Sequence, residues 1–220
     1  MTLNQYIDHT ILKANAVEDD IRQLCAEARE YAFFSVCVNS AWVPTARELL
    51  AGSPVKVCSV IGFPLGAMSP AAKAFEAKQA VADGADEIDM VINVGWLKDG
   101  KAGAVRDEIR AIKETIGTRV LKVIIETCYL DDAEKALACT LAVEAGADFV
   151  KTSTGFGTGG ASVEDVRLML DTVKGKAHVK ASGGVRDAEA AKQYVEMGVM
   201  RLGTSNGIKI VAGEAVTGGY

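Results

Sequence analysis

The 220-residue chain has no Cys-x-x-Cys pair, no block of like charge and no apolar run near the roughly 20 residues that a bilayer span requires. Each absence excludes something. Five cysteines (Cys25, Cys37, Cys58, Cys128, Cys139) are scattered and odd in number, which suits reduced thiols rather than a disulfide framework or a zinc knuckle. Cys37 and Cys58 lie inside apolar, strand-like runs, where a thiol behaves as a small hydrophobe. The start, Met1–Gln5, has neither a basic nor an apolar leader segment, so a cytoplasmic location is expected. With 24 Lys and Arg against 29 Asp and Glu the net charge is −5, and neither a nucleic-acid backbone nor an anionic membrane is expected as partner. The two histidines, His9 and His178, lack metal-ligand spacing, and no metal or other cofactor is expected.

What is present is alternation. Hydrophobic residues make up 49% of the chain, enough for a sizeable core. Short β-branched runs recur at 6–10, 33–39, 55–62, 87–93, 120–127, 148–153, 177–182 and 199–205. Between them lie alanine-rich stretches with helical periodicity at 18–30, 70–82, 101–116, 133–145, 162–173 and 187–197. Gly84, Gly117, Gly146 and Gly198 stand where left-handed helix ends are expected. Eight strands alternating with helices imply parallel strands joined by crossovers. An open doubly wound sheet fits the same pattern. The closed (β/α)8 barrel is favoured by the chain length and by the absence of a Gly-x-Gly-x-x-Gly turn after the first strand. With no linker or low-complexity segment, residues 1–220 read as one α/β barrel domain with a short flexible C-terminal tail from about 214.

Side chains on a barrel strand alternate between the lumen and the helix layer, and chemistry sits at the C-terminal strand ends. In Ile88-Asp89-Met90-Val91-Ile92-Asn93 the large apolar residues suit the helix layer, which turns Asp89 inward. Lys122, Lys151 and Lys180 are each embedded in an apolar strand. Lysine is rarely buried without a partner. A structural ion cluster or lysines snorkelling from the rim would account for any one of them. Lys151 and Lys180 together say more: a nearby cation and desolvation both favour a neutral amine, and only a neutral amine attacks a carbonyl. His9 is expected in the core or at the rim, and His178 on the helix-facing layer.

Glycine-rich turns follow the last two strands, Ser182-Gly183-Gly184-Val185 and Gly203-Thr204-Ser205-Asn206-Gly207. Thr152-Ser153-Thr154-Gly155 follows Lys151. In this fold such loops often cradle a phosphate with backbone N–H groups and a helix N-terminus. Glycine also serves any tight loop, so the signal is their placement on consecutive strands.

The segments YIDHTILK, SVCVNSAWV, VCSVIGFPLGA, ADEIDMVINVG, LKVIIETC, GADFVKTSTGF, VKASGGVRD and GTSNG, spread over nearly the whole chain, resemble the bacterial-type 2-deoxyribose-5-phosphate aldolases. The resemblance implies a metal-independent class I aldolase that reversibly cleaves 2-deoxy-D-ribose 5-phosphate into acetaldehyde and glyceraldehyde 3-phosphate, in deoxynucleoside catabolism. It implies Lys151 as the Schiff-base lysine, Lys180 as the group that perturbs it and Asp89 in proton transfer, with Asp8 and Lys122 in the same polar network. Thr154, Gly155, Gly183, Gly184, Gly203 and Ser205 would hold the phosphate. The chain departs from the family pattern at Trp96 and at Asn206, and Asn206 is given no role. Some relatives end in a similar tyrosine, so Tyr220 is a further site residue besides its reading as a frayed end. Its removal is expected to lower kcat more than it raises KM in steady-state assays, and an unchanged kcat would discard it. The partners expected are sugar phosphates, aldehydes and a second copy in a homodimer. Two rival readings remain at this point: a phosphate-binding barrel isomerase or lyase that works without an imine, and a sugar-phosphate sensor.

Overall fold

In the computed structural model, which describes residues 2–213, eight parallel strands close on themselves in chain order, the last hydrogen-bonded to the first. The strands are β1 (Ile7–Ile11), β2 (Ser35–Asn39), β3 (Lys56–Ile61), β4 (Glu87–Val91), β5 (Val120–Ile124), β6 (Phe149–Lys151), β7 (His178–Ser182) and β8 (Arg201–Thr204). Around them run α1 (Glu18–Glu30), α2 (Val43–Leu49), α3 (Pro70–Ala82), α4 (Val94–Lys98), α5 (Ala102–Ile116), α6 (Asp132–Glu144), α7 (Val163–Val173), α8 (Ala188–Met197) and α9 (Gly207–Ala212). This is a (β/α)8 barrel, and the open sheet is excluded by the pairing of Ile7 with Leu202 and Asp8 with Gly203.

The periodicities explain the layers. On α5, Val105, Ile109, Ile112 and Ile116 recur at helical spacing and are buried against the barrel wall. On β4 and just past it, Ile88, Met90 and Ile92 join that same core, so Glu87 and Asp89 must point into the lumen. Helix starts are fixed by side chains: Asp131 accepts from Glu134 N at 2.8 Å while Glu134 returns a bond to Asp131 N at 2.9 Å. Gly84, Gly117, Gly146 and Gly198 all have positive φ, as their positions at helix ends require.

Outside the barrel wall, Lys73 on α3 and Glu108 on α5 form a fully enclosed ion pair at 2.9 Å. Lys73 Nζ also donates to the Val91 carbonyl at 2.8 Å, and Glu108 accepts from Asn93 N at 3.3 Å. The pair therefore clamps the C-terminal end of β4 from behind. Lys73→Met is expected to cost about 3–5 kcal/mol by stranding a buried carboxylate. Urea denaturation checks this, and a loss under about 1 kcal/mol would show that Glu108 is relieved by protonation or water.

Candidate active site in the barrel lumen

Register brings the embedded charges together. Asp89 lies opposite Lys122, and Lys151 lies opposite Lys180. One carboxylate gathers all three lysines. Asp89 Oδ2 accepts from Lys151 Nζ at 2.7 Å and from Lys180 Nζ at 2.8 Å, while Oδ1 accepts from Lys122 Nζ at 2.9 Å. Lys180 also donates to Asp8 Oδ2 on β1 at 2.5 Å, across the closure of the barrel. A lower tier supports this one. Glu87 Oε2 lies 2.5 Å from Lys122 Nζ, and Arg201 donates to Glu87 at 2.9 and 3.1 Å and to Asp8 at 2.8 Å. The Arg201 guanidinium caps the barrel floor 3.3 Å above the Phe34 ring.

Four cations thus meet three carboxylates inside an apolar cylinder. Lys122 and Lys180 are 0% exposed, whereas Lys151 at 3% is the one that reaches toward the open end. Burial alone would raise the Asp89 pKa, but Lys122, Lys151 and Lys180 outweigh it and hold the carboxyl well below its usual range. Asp8 is lowered in the same way, burial being outweighed by Lys180, Lys122 and Arg201. Burial pushes Lys180 down, yet Asp8 and Asp89 win and raise it above an ordinary lysine. Lys180 is therefore a fixed ammonium that shares an Asp89 oxygen with Lys151.

These shifts set a pH window. Asp8, Glu87 and Asp89 bind protons more weakly folded than unfolded, so their stabilisation is complete above the ordinary carboxyl value of 3.8 to 4.5 and is lost as pH falls through the depressed folded values. Glu108, raised mainly by burial, contributes with the opposite sign, but it is one group against three. The urea midpoint is expected to change little between neutrality and about pH 5 and to fall steeply below about pH 4. A midpoint that rises on acidification would contradict the ion cluster.

At the mouth, Gly183 and Gly184 take φ of +77° and +79°, turning the backbone after β7. The β6–α7 loop folds back onto this turn, with Ala161 N donating to the Gly183 carbonyl at 2.8 Å. A Cβ at Gly160 would stand 2.1 Å from that carbonyl oxygen, so only glycine permits the approach. Gly203 has a second reason to lack a side chain: a Cβ there would lie 3.1 Å from Lys180 Cε and crowd the lysine's path. Gly184 and Ser205 are exposed and Gly155 half-buried beside this turn. Thr154, also in the expected phosphate set, donates both its N–H and its hydroxyl to the Glu126 carboxylate. Tyr220 and the tail from 214 lie outside the described residues.

A family model described as DeoC/LacD family aldolase matches residues 2–214. The chain belongs to the DeoC/LacD aldolases. Among the most similar members, the deoxyribose-phosphate aldolases of Streptococcus uberis and Brevibacillus brevis are 57% and 58% identical, with the whole of each chain covered. A putative deoxyribose-phosphate aldolase from Coccidioides immitis superposes with a TM-score of 0.94 at 45% identity, over 96% of this chain and 84% of that one. The deoxyribose phosphate aldolase of Aeropyrum pernix, whose structure is described as tetrameric, gives 0.88 at 34% identity, over 96% and 89%.

Several participants in the family member's cluster escape a reading of lysines alone. Glu87 precedes Asp89 by two and Arg201 precedes Gly203 by two, so strand alternation already assigns both to the lumen. Cys58, whose Sγ lies 3.1 Å from Asp89 Oδ1 and 3.4 Å from Lys122 Nζ, reads as a packed thiol from its run alone. Glu126, two residues past β5, has a φ of +55°, a conformation nothing in its own sequence announces. His178 is also a correction. It lies two residues before Lys180 and shares its face, so it sits at the barrel floor, exposed and 5.1 Å from the Phe149 ring, not in the helix layer. His9 faces outward to α1, where its Nε2 meets Glu27 at 2.6 Å.

Proposed function

We propose that this aldolase reversibly cleaves 2-deoxy-D-ribose 5-phosphate to acetaldehyde and D-glyceraldehyde 3-phosphate through a Schiff base on Lys151, in deoxyribose phosphate catabolism. The observation that carries the reading is the pair of lysine Nζ atoms on one oxygen of Asp89, with Lys151 the outer of the two. The names of the most similar relatives supply the substrate.

The steps follow from this arrangement. Lys151 attacks the aldehyde carbon of the open-chain sugar as a free amine, its proton passing to Asp89 or to water. The carbinolamine loses its hydroxyl as water, and the resulting iminium draws electrons from the substrate. Asp89, through a water, takes the C3 hydroxyl proton as the C2–C3 bond breaks, and glyceraldehyde 3-phosphate leaves. The enamine is then protonated at carbon, and hydrolysis returns acetaldehyde and the free lysine. Lys180, with Asp8 behind it, keeps a positive charge beside Lys151, and Lys122 fixes the other Asp89 oxygen. Thr154, Gly155, Gly183, Gly184, Gly203 and Ser205 position the phosphate, and Tyr220 joins the proton-transfer groups.

Borohydride reduction in the presence of acetaldehyde tests the reading: one adduct per chain is expected, mapped to Lys151. Retained activity after reduction would favour acid–base chemistry without an imine, and an adduct on another lysine would overturn the assignment. We further propose a cytoplasmic homodimer. Among the described residues no helix is long and apolar enough to cross a membrane. Sedimentation separates the dimer from a monomer or tetramer.

A further inference from the structure

We infer that the barrel lumen contains a binding site for a thiophilic divalent cation, formed by Cys37, Cys58 and Asp89, and that such a cation inhibits the enzyme. Cys37 and Cys58 are paired in register on β2 and β3, so both thiols project into the lumen at one level. Both are fully enclosed. Their Sγ atoms and an Asp89 oxygen all lie within 4.8 Å of one another, and Cys58 Sγ is 3.1 Å from Asp89 Oδ1. A tetrahedral zinc or cadmium ion with metal–sulfur bonds near 2.3 Å or a little longer holds its ligand atoms roughly 3.8 Å apart. Two thiolates and one carboxylate make a soft donor set suited to zinc, cadmium or cobalt and poor for magnesium or calcium.

The neighbouring ammonium groups seem to forbid a cation, but the charge account answers this. Binding releases the two thiol protons to solvent and admits one dication in their place, so the total charge of the lumen cluster is unchanged. The three ligands fill one side of the ion, and the remaining position faces the lumen and takes a water. Leu12, Val60 and Phe63 pack against the two thiols as a small apolar cluster separate from the main core. A cation arriving from the mouth must displace this cluster, so binding is slow to develop.

The consequence for catalysis rests on the proposed roles of Asp89 and Lys151. An ion on Asp89 Oδ1 displaces Lys122 from that oxygen and draws negative charge away from Oδ2, weakening the contact with Lys151 on which proton transfer at the amine depends. Occupancy is expected to lower turnover roughly 100-fold, with slow onset and recovery on adding EDTA.

The test uses the intact protein, kept reduced with a phosphine that does not hold the metal. Cobalt titration is expected to give a thiolate-to-metal charge-transfer band saturating at one ion per chain. Cys37→Ala should abolish the band and weaken inhibition roughly 100-fold relative to that variant's own metal-free rate. Cys128→Ser, which removes the half-exposed thiol, should leave the band intact. Absence of the band, or a band lost in Cys128→Ser and kept in Cys37→Ala, overturns the site. If Cys37→Ala does not fold, X-ray absorption on cadmium-loaded wild type decides: two sulfur ligands support the site, one or none refutes it. The band does not depend on catalysis. A cobalt site that leaves activity untouched would refute the inhibition and count against the role given to Asp89, while leaving the Lys151 adduct to be judged by trapping.

Discussion

Lys151→Met is expected to lower the rate of deoxyribose 5-phosphate cleavage by at least about 10⁴-fold and to abolish borohydride trapping, with the fold intact. Methionine keeps most of the lysine's length and apolar stem, so the lumen stays filled. The substitution also removes one of four cations facing three carboxylates, bringing the cluster to charge balance, and stability is expected to hold or rise. Near-complete loss of turnover in a chain at least as stable as wild type is a combination that a purely structural lysine would not give. A coupled assay for glyceraldehyde 3-phosphate, run with EDTA, measures the rate, and thermal unfolding measures the fold. Retention of more than a hundredth of the wild-type rate would move the nucleophile elsewhere. Lys180→Met makes the contrast: the amine that reacts is still present, so trapping persists at a reduced rate while Asp8 keeps Arg201 as its partner.

How far these residues could be read from the sequence depends on the range of the interaction that places each. The eight strands and six longer helices follow from period-2 and period-3.6 patterns with glycine at the helix ends, signals carried within a dozen residues. The short helices α2, α4 and α9 do not show in that pattern because each runs two turns or fewer, too little for a stripe. Strand ends also shift. The 148–153 run narrows to Phe149–Lys151, and beyond it the Thr152 hydroxyl and the Ser153 carbonyl bond Ser182 on β7. The inward turn of Asp89 and the embedded lysines was legible as well, from alternation. Which lysine pairs with which carboxylate was not, because it depends on the stagger of six strands around a closed barrel. Asp8 entered only through family resemblance, and Glu87 and Arg201 not at all. Thr154 shows the converse: a hydroxyl in a loop after a catalytic strand reads as a ligand donor, and nothing local announces that it also donates to Glu126, two residues past β5.

Asp89→Asn is expected to reduce kcat by roughly 10²–10⁴-fold and, unlike the Lys151 substitution, to destabilise the fold by about 3–5 kcal/mol. Asp89 is fully buried and, among the described residues, is the one group in contact with Lys122, Lys151 and Lys180 together. An amide of the same shape removes the negative charge and points N–H donors at ammonium groups, leaving four cations against two carboxylates. Lys151 and Lys180 lose the oxygen they share, so the amine is neither oriented nor able to pass its proton on. Trapping with acetaldehyde should therefore slow together with turnover, because proton transfer at Lys151 precedes imine formation as well as bond cleavage. Kinetics on the folded fraction, established by circular dichroism at each urea concentration, separate chemistry from stability. A folded Asp89→Asn enzyme with kcat within tenfold of wild type would take the carboxylate out of the reaction and leave it as counter-ion alone. A large loss of turnover with trapping unchanged would confine Asp89 to the C3 hydroxyl proton, and the shared oxygen would then be an accident of the resting state.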